Sequence, residues 1–199
     1  MQLICYCFAK VATLALGFIF PIYIQLVNHG SVSLAGWIVF PGAIVDALLV
    51  AVAGKLYDKK GARLPIILGI CMSLIGLTLL IISGKLSNLE ILILYAIYYG
   101  GYGMCFSSLM TSGLTSISKE NHAQGNAIFN TLQQFSGAVG TALAGTIISF
   151  YQQKLNFGQD LGTAKGAHFI FIVLLVLIII NLLVSLKFVP KTIKNSSEP

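Results

Sequence analysis

The sequence predicts an all-α integral membrane protein, built as a bundle of six transmembrane helices. Hydrophobic residues make up 57% of the 199 residues and charged residues only 9%, whereas soluble domains average about 25% charged residues. The excess apolar surface must therefore face lipid. The apolar residues form continuous runs instead of alternating with period two, which excludes the strands of a membrane barrel. Helices pair every backbone amide within the segment, as hydrocarbon requires.

Six apolar runs are long enough to cross a bilayer, which takes about 20 residues per helix. They lie near residues 4–26, 32–53, 65–83, 90–113, 125–150 and 167–188. Together they form one six-helix domain at 1–190, with an outer loop at 152–166 and a polar cytoplasmic tail at 191–199. Cysteine and histidine residues do not occur at metal-ligand spacing, so no metal site and no cofactor are expected.

Positive charge is distributed unevenly between the two ends of these helices. An even number of spans puts both termini on one side of the membrane, and basic residues accumulate on the cytoplasmic side. Three basic residues lie on one side, namely Lys85, Lys154 and Lys165. Nine lie on the other: Lys10, Lys55, Lys59, Lys60, Arg63, Lys119, Lys187, Lys191 and Lys194. Both termini and the charged loop after the second span are therefore predicted to be cytoplasmic.

The charged loop at 54–64 contains glycine and aspartate residues that a loop serving only to fix the membrane orientation would not need. Gly54 permits the close approach of two helices, and Asp58 can accept hydrogen bonds or cap a neighbouring helix. Gly61 allows a tight reversal with positive φ, and Pro65 suits the first turn of the third helix. The alternative is that the segment is only a solvated basic loop.

Three stretches resemble signatures of one transporter family. GKLYDKKGAR at 54–63 is similar to the G-x-L-x-D-[RK]-x-G-x-[RK] motif of the major facilitator superfamily. AGWIVFPG at 35–42 and GNAIFNTLQQFSGAVGTA at 125–142 resemble motifs of its fourteen-helix drug/proton antiporter branch. The resemblance implies one half of a major facilitator fold, a 3+3 inverted repeat, and it matches only the second, C-terminal half of such transporters.

The resemblance assigns an inner gate to the loop after the second span. In that family the loop locks the cytoplasmic side through charge contacts with a neighbouring helix, and Lys59 stands where arginine is common. Asp58 and Arg63 would be the latch residues. The gate motif comprises Gly54, Asp58, Lys59, Gly61 and Arg63.

The family also implies that the first and fourth helices of each half line a central cavity. Aromatic residues recur along the fourth span at spacings of three and four, so they share a helical face that can stack flat compounds and attract cations. Packing against neighbouring helices is the alternative. The predicted cavity residues of these two helices are Gln25, Tyr95, Tyr98, Tyr99, Tyr102 and Phe106.

Asp46 is the acidic residue that lies well inside a predicted span. An ionised carboxylate there costs on the order of 3 kcal/mol on insertion scales, so a functional reason is expected. We predict that Asp46 takes up protons or pairs with cationic substrates. The alternative is that it bonds a polar neighbour.

The fifth span combines a polar stripe with a face of small residues. Asn130 and Gln134 are predicted to reach the cavity or the neighbouring bundle. Gly137, Gly140 and Gly145 allow close helix packing, and the resemblance places that packing at the interface between the two halves.

Taken with the resemblance, these features predict the C-terminal half of a proton-coupled multidrug exporter that works by alternating access. Its expected partners are small amphipathic substrates, protons, membrane lipid, and either an N-terminal half bundle or a second copy. The alternatives are a truncated or split membrane interaction module without transport, and a self-sufficient homodimeric exporter of small metabolites. The sequence contains no phosphate-binding loop or hydrolytic triad, so neither an enzyme nor a nucleic-acid-binding protein is expected. The predicted location is a bacterial cytoplasmic membrane.

Overall fold

The computed structural model describes residues 2–154 and 158–189, and within these ranges the chain contains helices and no strand. A short 3₁₀ turn at Lys119–Asn121 precedes the fifth long helix, and a π-helical turn at Phe150–Lys154 follows it. The predicted all-α class is confirmed. The six long helices are α1 (Gln2–Leu26), α2 (Val32–Lys60), α3 (Arg63–Ile82), α4 (Asn88–Leu114), α5 (His122–Ser149) and α6 (Gly158–Phe188).

Five of these helices, all but α5, are long and apolar enough to cross a membrane. α5 has 28 residues, which is ample length, but amide side chains interrupt its apolar run. Those amides belong to Asn126, Asn130, Gln133 and Gln134. A sixth span through α5 therefore stays a prediction.

Two helices extend seven or more residues beyond their predicted limits. α2 continues to Lys60, seven residues past the predicted end at 53. Residues 55–60 contain no Gly or Pro, so the helix does not have to end where the apolar run ends. α6 begins at Gly158, nine residues before the predicted start at 167. Most of the predicted loop at 54–64 and much of the predicted loop at 152–166 are thus helical. Residues 155–157 and the predicted tail at 191–199 lie outside the described residues.

α1 occupies the centre of the bundle and packs against α2, α4, α5 and α6. Its residues Leu16, Ile19 and Phe20 are fully buried in the core. α4 packs against both α2 and α3, and α3 also contacts α6. α2 is the least covered helix, since its buried residues are only Ala35, Ile38, Gly42 and Ala53.

Serine side chains cap α2 and α4, two of the helices that begin at one end of the bundle. The Leu34 amide donates to the Ser31 hydroxyl at 3.1 Å at the start of α2. At the start of α4, the Glu90 amide donates to the Ser87 hydroxyl at 3.3 Å and the Ser87 amide donates to the Glu90 carboxylate at 2.8 Å. These bonds satisfy amides that have no partner within the helix, so the adjoining loops are short and well defined.

Candidate substrate and coupling site

A continuous row of aromatic rings runs along α4. The ring centroids of Tyr95 and Tyr99 lie 5.0 Å apart, those of Tyr99 and Tyr102 5.6 Å, and those of Tyr102 and Phe106 4.9 Å. Tyr6 of α1 extends the row, because its ring stacks on Phe106 at 4.1 Å. From residue 95 to residue 106 the row covers about 16 Å of helix.

Neighbouring helices cover much of this row. Tyr95 is 3% exposed and Tyr102 is 7% exposed, while Tyr99 and Phe106 are half-buried. Tyr98 stands apart: it is 1% exposed, and its hydroxyl shares a hydrogen bond of 3.2 Å with the hydroxyl of Thr13. Tyr98 therefore packs in the core between helices, whereas the sequence predicts it to line the cavity.

Lys10 belongs to the site, although the sequence reasoning counted it as a cytoplasmic charge near a helix end. It is the ninth residue of α1, about 12 Å along the helix from Gln2, and is half-buried. Its ammonium lies 5.5 Å from the ring centroid of Phe106 and 5.9 Å from that of Tyr102. Both distances are in the range of cation–π attraction.

Asp46 lies at the midpoint of α2, fourteen residues after Val32 and fourteen before Lys60. Its Oδ1 atom is buried and has no hydrogen-bond partner among the described residues. The atom rests against Gly103 of α4, at the place where any other residue would have its Cβ. A glycine at this position therefore lets the carboxylate enter the α2–α4 contact.

Lys10, Asp46 and the aromatic row form one site from three helices. The charges of Lys10 and Asp46 attract each other, but they form no direct ion pair in the described part of the chain. The carboxylate also interacts electrostatically with Tyr99 and Tyr102. Such a site can bind a cation at the carboxylate and stack a flat molecule on the rings.

The structure places the other three predicted cavity residues away from this site. Gln25 donates to the carbonyl of Pro21 at 3.0 Å and lines a separate cavity of about 350 Å³ between α1 and α5. Asn130 and Gln134 lie on the exposed face of α5, and Asn130 donates to Asn126 at 3.5 Å.

Gln133 is the amide of α5 that does reach the row, because its Oε1 accepts from the Tyr6 hydroxyl at 3.1 Å. Lys10, Tyr6 and Gly103 were missed as site residues. A lysine within an apolar run is itself a signal of function, whereas nothing in the local sequence marks Tyr6 or Gly103.

Comparison with known proteins decides the family. The family model of the Major Facilitator Superfamily matches residues 2–199. The chain belongs to this superfamily. The family predicted from the three motifs is thereby confirmed.

Several relatives of this chain have names that refer to transport or to drug resistance. The lincomycin resistance protein LmrB of Listeria innocua is 35% identical over 134 residues, which are 67% of this chain and 28% of LmrB. The multidrug resistance protein Stp of Mycobacterium tuberculosis is 25% identical over 127 residues, 64% of this chain and 24% of Stp. The riboflavin transporter RibZ of Clostridioides difficile is 27% identical over 161 residues, 79% of this chain and 34% of RibZ. The chain thus matches about a third or less of the length of these relatives. Their names fit the predicted drug/proton antiporter branch.

The superfamily motif at 54–63 lies mostly on the last turns of α2. Gly54, Asp58 and Lys59 are exposed there. A Cβ built on Gly54 would meet no atom within 4 Å, so the predicted close approach of a second helix at Gly54 is wrong for the described residues.

The second half of the motif connects α2 to the rest of the bundle. Gly61 ends α2 with φ 81°, and its amide donates to the carbonyl of Tyr57 at 2.8 Å, which confirms the expected positive φ. Arg63 begins α3 and donates to the carbonyl of Leu186 at 3.1 Å. Because that carbonyl belongs to the end of α6, the cationic side chain meets the negative end of a helix dipole. Arg63 thereby ties α3 to α6.

Replacing Gly61 by alanine is expected to destabilise the bundle by about 1–3 kcal/mol, because a φ of 81° with extended ψ strains any residue that has a Cβ. The midpoint of thermal unfolding in detergent measures the effect. Gly54→Ala is the matched control, since it changes the same motif at a helical position with open space around it. Equal midpoints for the two variants would contradict the strain argument.

The glycines of the antiporter-like run pack inside this bundle. A Cβ on Gly140 would overlap the backbone carbonyl oxygen of Val11, and one on Gly137 would overlap the Leu14 side chain. Gly145 faces Phe18 at an ordinary contact distance of 3.6 Å. All three partners belong to α1. The structure therefore places the small-residue face at the α1–α5 contact. The resemblance instead implies that this face lies at the interface between two halves.

Proposed function

We propose that this chain forms the C-terminal six-helix bundle of a proton-coupled exporter of small amphipathic compounds. The observation that carries the proposal is Asp46 at the middle of α2, whose buried Oδ1 has no hydrogen-bond partner among the described residues. Its charge interacts with Lys10 and with the tyrosines of the aromatic row. A buried unpaired carboxylate oxygen is costly. Either a proton or a substrate cation can relieve that cost, so the two can compete for the Asp46 carboxylate.

The Lys10 ammonium lies against the aromatic rings of the site. It lies over Tyr102 and Phe106, which are the faces that a cationic, flat substrate would use. Binding of such a substrate then displaces Lys10 from the rings and places positive charge near Asp46. Protonation of Asp46 removes the attraction for the substrate and favours its release. Exchange of one for the other is the chemical basis of antiport.

Alternating access requires the site to open to each side in turn, which in this superfamily involves two bundles that rock around the site. The exposed face of α5 supports a protein or water partner, because Asn130 and Gln134 are poorly suited to lipid. The exposed apolar residues of α2, Ile44, Leu48 and Val52, suit either lipid or a second bundle. We propose a second bundle as the partner, supplied by an N-terminal half or by another copy.

The proposed orientation has both termini in the cytoplasm. Lys10 lies inside α1 and marks neither side of the membrane. Eight of the remaining eleven basic residues still fall on the side of the α2–α3 connection, which supports the same orientation. The bacterial relatives support a bacterial cytoplasmic membrane.

Dye export by inverted membrane vesicles tests the proposal. The chain is expressed alone and together with the first six-helix bundle of LmrB, and the uptake of ethidium is followed after a proton gradient is imposed. We expect gradient-dependent uptake with the co-expressed bundle. Uptake by the chain alone would favour the homodimer. If both preparations are inactive although both bundles are present in the membrane, the exporter proposal fails and an interaction module is the better description.

A further inference from the structure

A second cavity, of about 670 Å³, lies at the opposite end of the bundle from the charged α2–α3 connection. Its walls come from four places: the α1–α2 loop with Val27 and His29, the α3–α4 loop with Gly84 and Lys85, the turn after α5 with Tyr151, and the first four turns of α6. We propose that this cavity binds the headgroup and upper chain of an anionic phospholipid. It is distinct from the Asp46 site.

The rim of the cavity is predominantly basic. Lys85 and Lys165 carry positive charge, His29 and His168 add two imidazoles, and Asp160 is the single carboxylate among the lining residues. Asp160 lies 3.7 Å from the imidazole of His29. A compact ammonium group is a good partner for phosphate oxygen, so the rim selects a negatively charged headgroup.

The inner wall of the cavity is apolar and opens toward lipid. Leu161, Ala164 and Ile172 follow one face of α6, next to Phe169. Phe169 is 44% exposed and Ile172 42% exposed, so part of this wall continues into the membrane-facing surface. A free inorganic anion gains nothing from such a wall, whereas the first carbons of an acyl chain bury their surface against it.

The position along the helices matches the depth of lipid headgroups. His29 lies three residues after the end of α1, Lys85 three residues after the end of α3, and Asp160 is the third residue of α6. Helix ends of membrane proteins lie at the interface, where long basic side chains reach the headgroup layer. The volume is also in the range of sites for molecules much larger than phosphate.

Hydrogen bonds hold the loops of the cavity in place before any ligand binds. Asn28 donates to the carbonyl of Leu86 at 3.0 Å and to the side chain of Asn88 at 2.7 Å. The Leu86 amide donates to the Tyr23 hydroxyl at 3.1 Å. On the other wall, Gln152 donates to Thr163 at 2.7 Å. A preformed site loses little conformational freedom on binding, which favours a specific ligand.

Native mass spectrometry of the purified full chain tests the proposal. The protein is equilibrated in neutral detergent with equal amounts of phosphatidylglycerol and phosphatidylcholine, and the bound lipid is weighed. We expect about tenfold preference for phosphatidylglycerol, the ratio that 1.4 kcal/mol of differential binding supplies. The double variant K85Q/K165Q should lose this preference. The control K119Q/K187Q removes the same charge at the opposite end and should retain it.

Two further arms separate the cavity from general charge and from free phosphate. Ala164→Leu fills the cavity without changing charge and should reduce phosphatidylglycerol binding several-fold at an unchanged unfolding midpoint. Excess inorganic phosphate, compared with chloride at equal ionic strength, should not displace the lipid. The proposal is overturned if K85Q/K165Q keeps the preference, if K119Q/K187Q loses it equally, if Ala164→Leu binds lipid as well as the parent chain, or if phosphate competes.

Discussion

Replacing Asp46 by asparagine is expected to lower proton-driven ethidium transport by about 5- to 150-fold, the range of a coupling free energy of about 1–3 kcal/mol. Asparagine keeps the size and shape of the side chain, so the α2–α4 contact at Gly103 is retained. It can neither bind and release a proton nor supply negative charge near Lys10. Inverted vesicles that contain the co-expressed bundles provide the measurement, with the unfolding midpoint as a check on the fold.

The flux without a proton gradient distinguishes a coupling role from a structural one. Asp46→Asn should still allow ethidium to move down its own concentration gradient, at a reduced rate because the substrate cation has lost its counter-charge. Glu120→Gln is the matched control, since it neutralises an exposed carboxylate in the α4–α5 connection and should leave transport unchanged. Full proton-driven transport by Asp46→Asn would exclude Asp46 as the coupling group.

Replacing Gly140 by alanine is expected to destabilise the protein by about 1–3 kcal/mol, the usual cost of overpacking. The added carbon would lie 3.0 Å from the carbonyl carbon of Val11 and would overlap its oxygen. Because the obstacle is backbone, α1 and α5 must move apart, and the contacts around Leu14 and Gly137 weaken with them. The unfolding midpoint in detergent should fall by several degrees.

Gly17→Ala is the control for this prediction. Gly17 lies inside α1, the helix that Gly140 contacts, but a Cβ there would meet no atom of the described residues within 4 Å. Alanine is intrinsically better than glycine in a helix by about 1 kcal/mol, so the midpoint should stay the same or rise. A Gly140→Ala protein as stable as Gly17→Ala would mean that α1 and α5 are not in backbone contact.

The fold class and the family could be predicted because they depend on features that are local in sequence. Long apolar runs dictate helices in lipid whatever surrounds them, and the motif at 54–63 can be recognised from residue identity alone. The positive φ of Gly61 could be predicted for the same reason. The end of α2 could not be predicted from the sequence, since a membrane boundary and a helix end need not coincide.

The candidate site was only partly predictable. Asp46 and most of the aromatic row were found from the chemistry of the residues and their helical spacing. Charge counting places Lys10 near a helix end, whereas the structure places it within α1 and over the aromatic rings. Gln133 and Gln134 are adjacent in sequence, and only the rotation of α5 decides that Gln133 meets Tyr6 while Gln134 is exposed.

The amino-acid order determined that this chain forms apolar helices, which of their ends carry the basic residues, and which transporter family it joins. The tertiary structure decided which side of each helix meets another helix. In a membrane, lipid and protein interior accept the same leucine and isoleucine side chains, so hydrophobic pattern says little about the buried face. The meeting of Lys10 from α1, Asp46 from α2 and Tyr102 from α4 therefore follows from helix packing, including the entry of a carboxylate where Gly103 has no side chain.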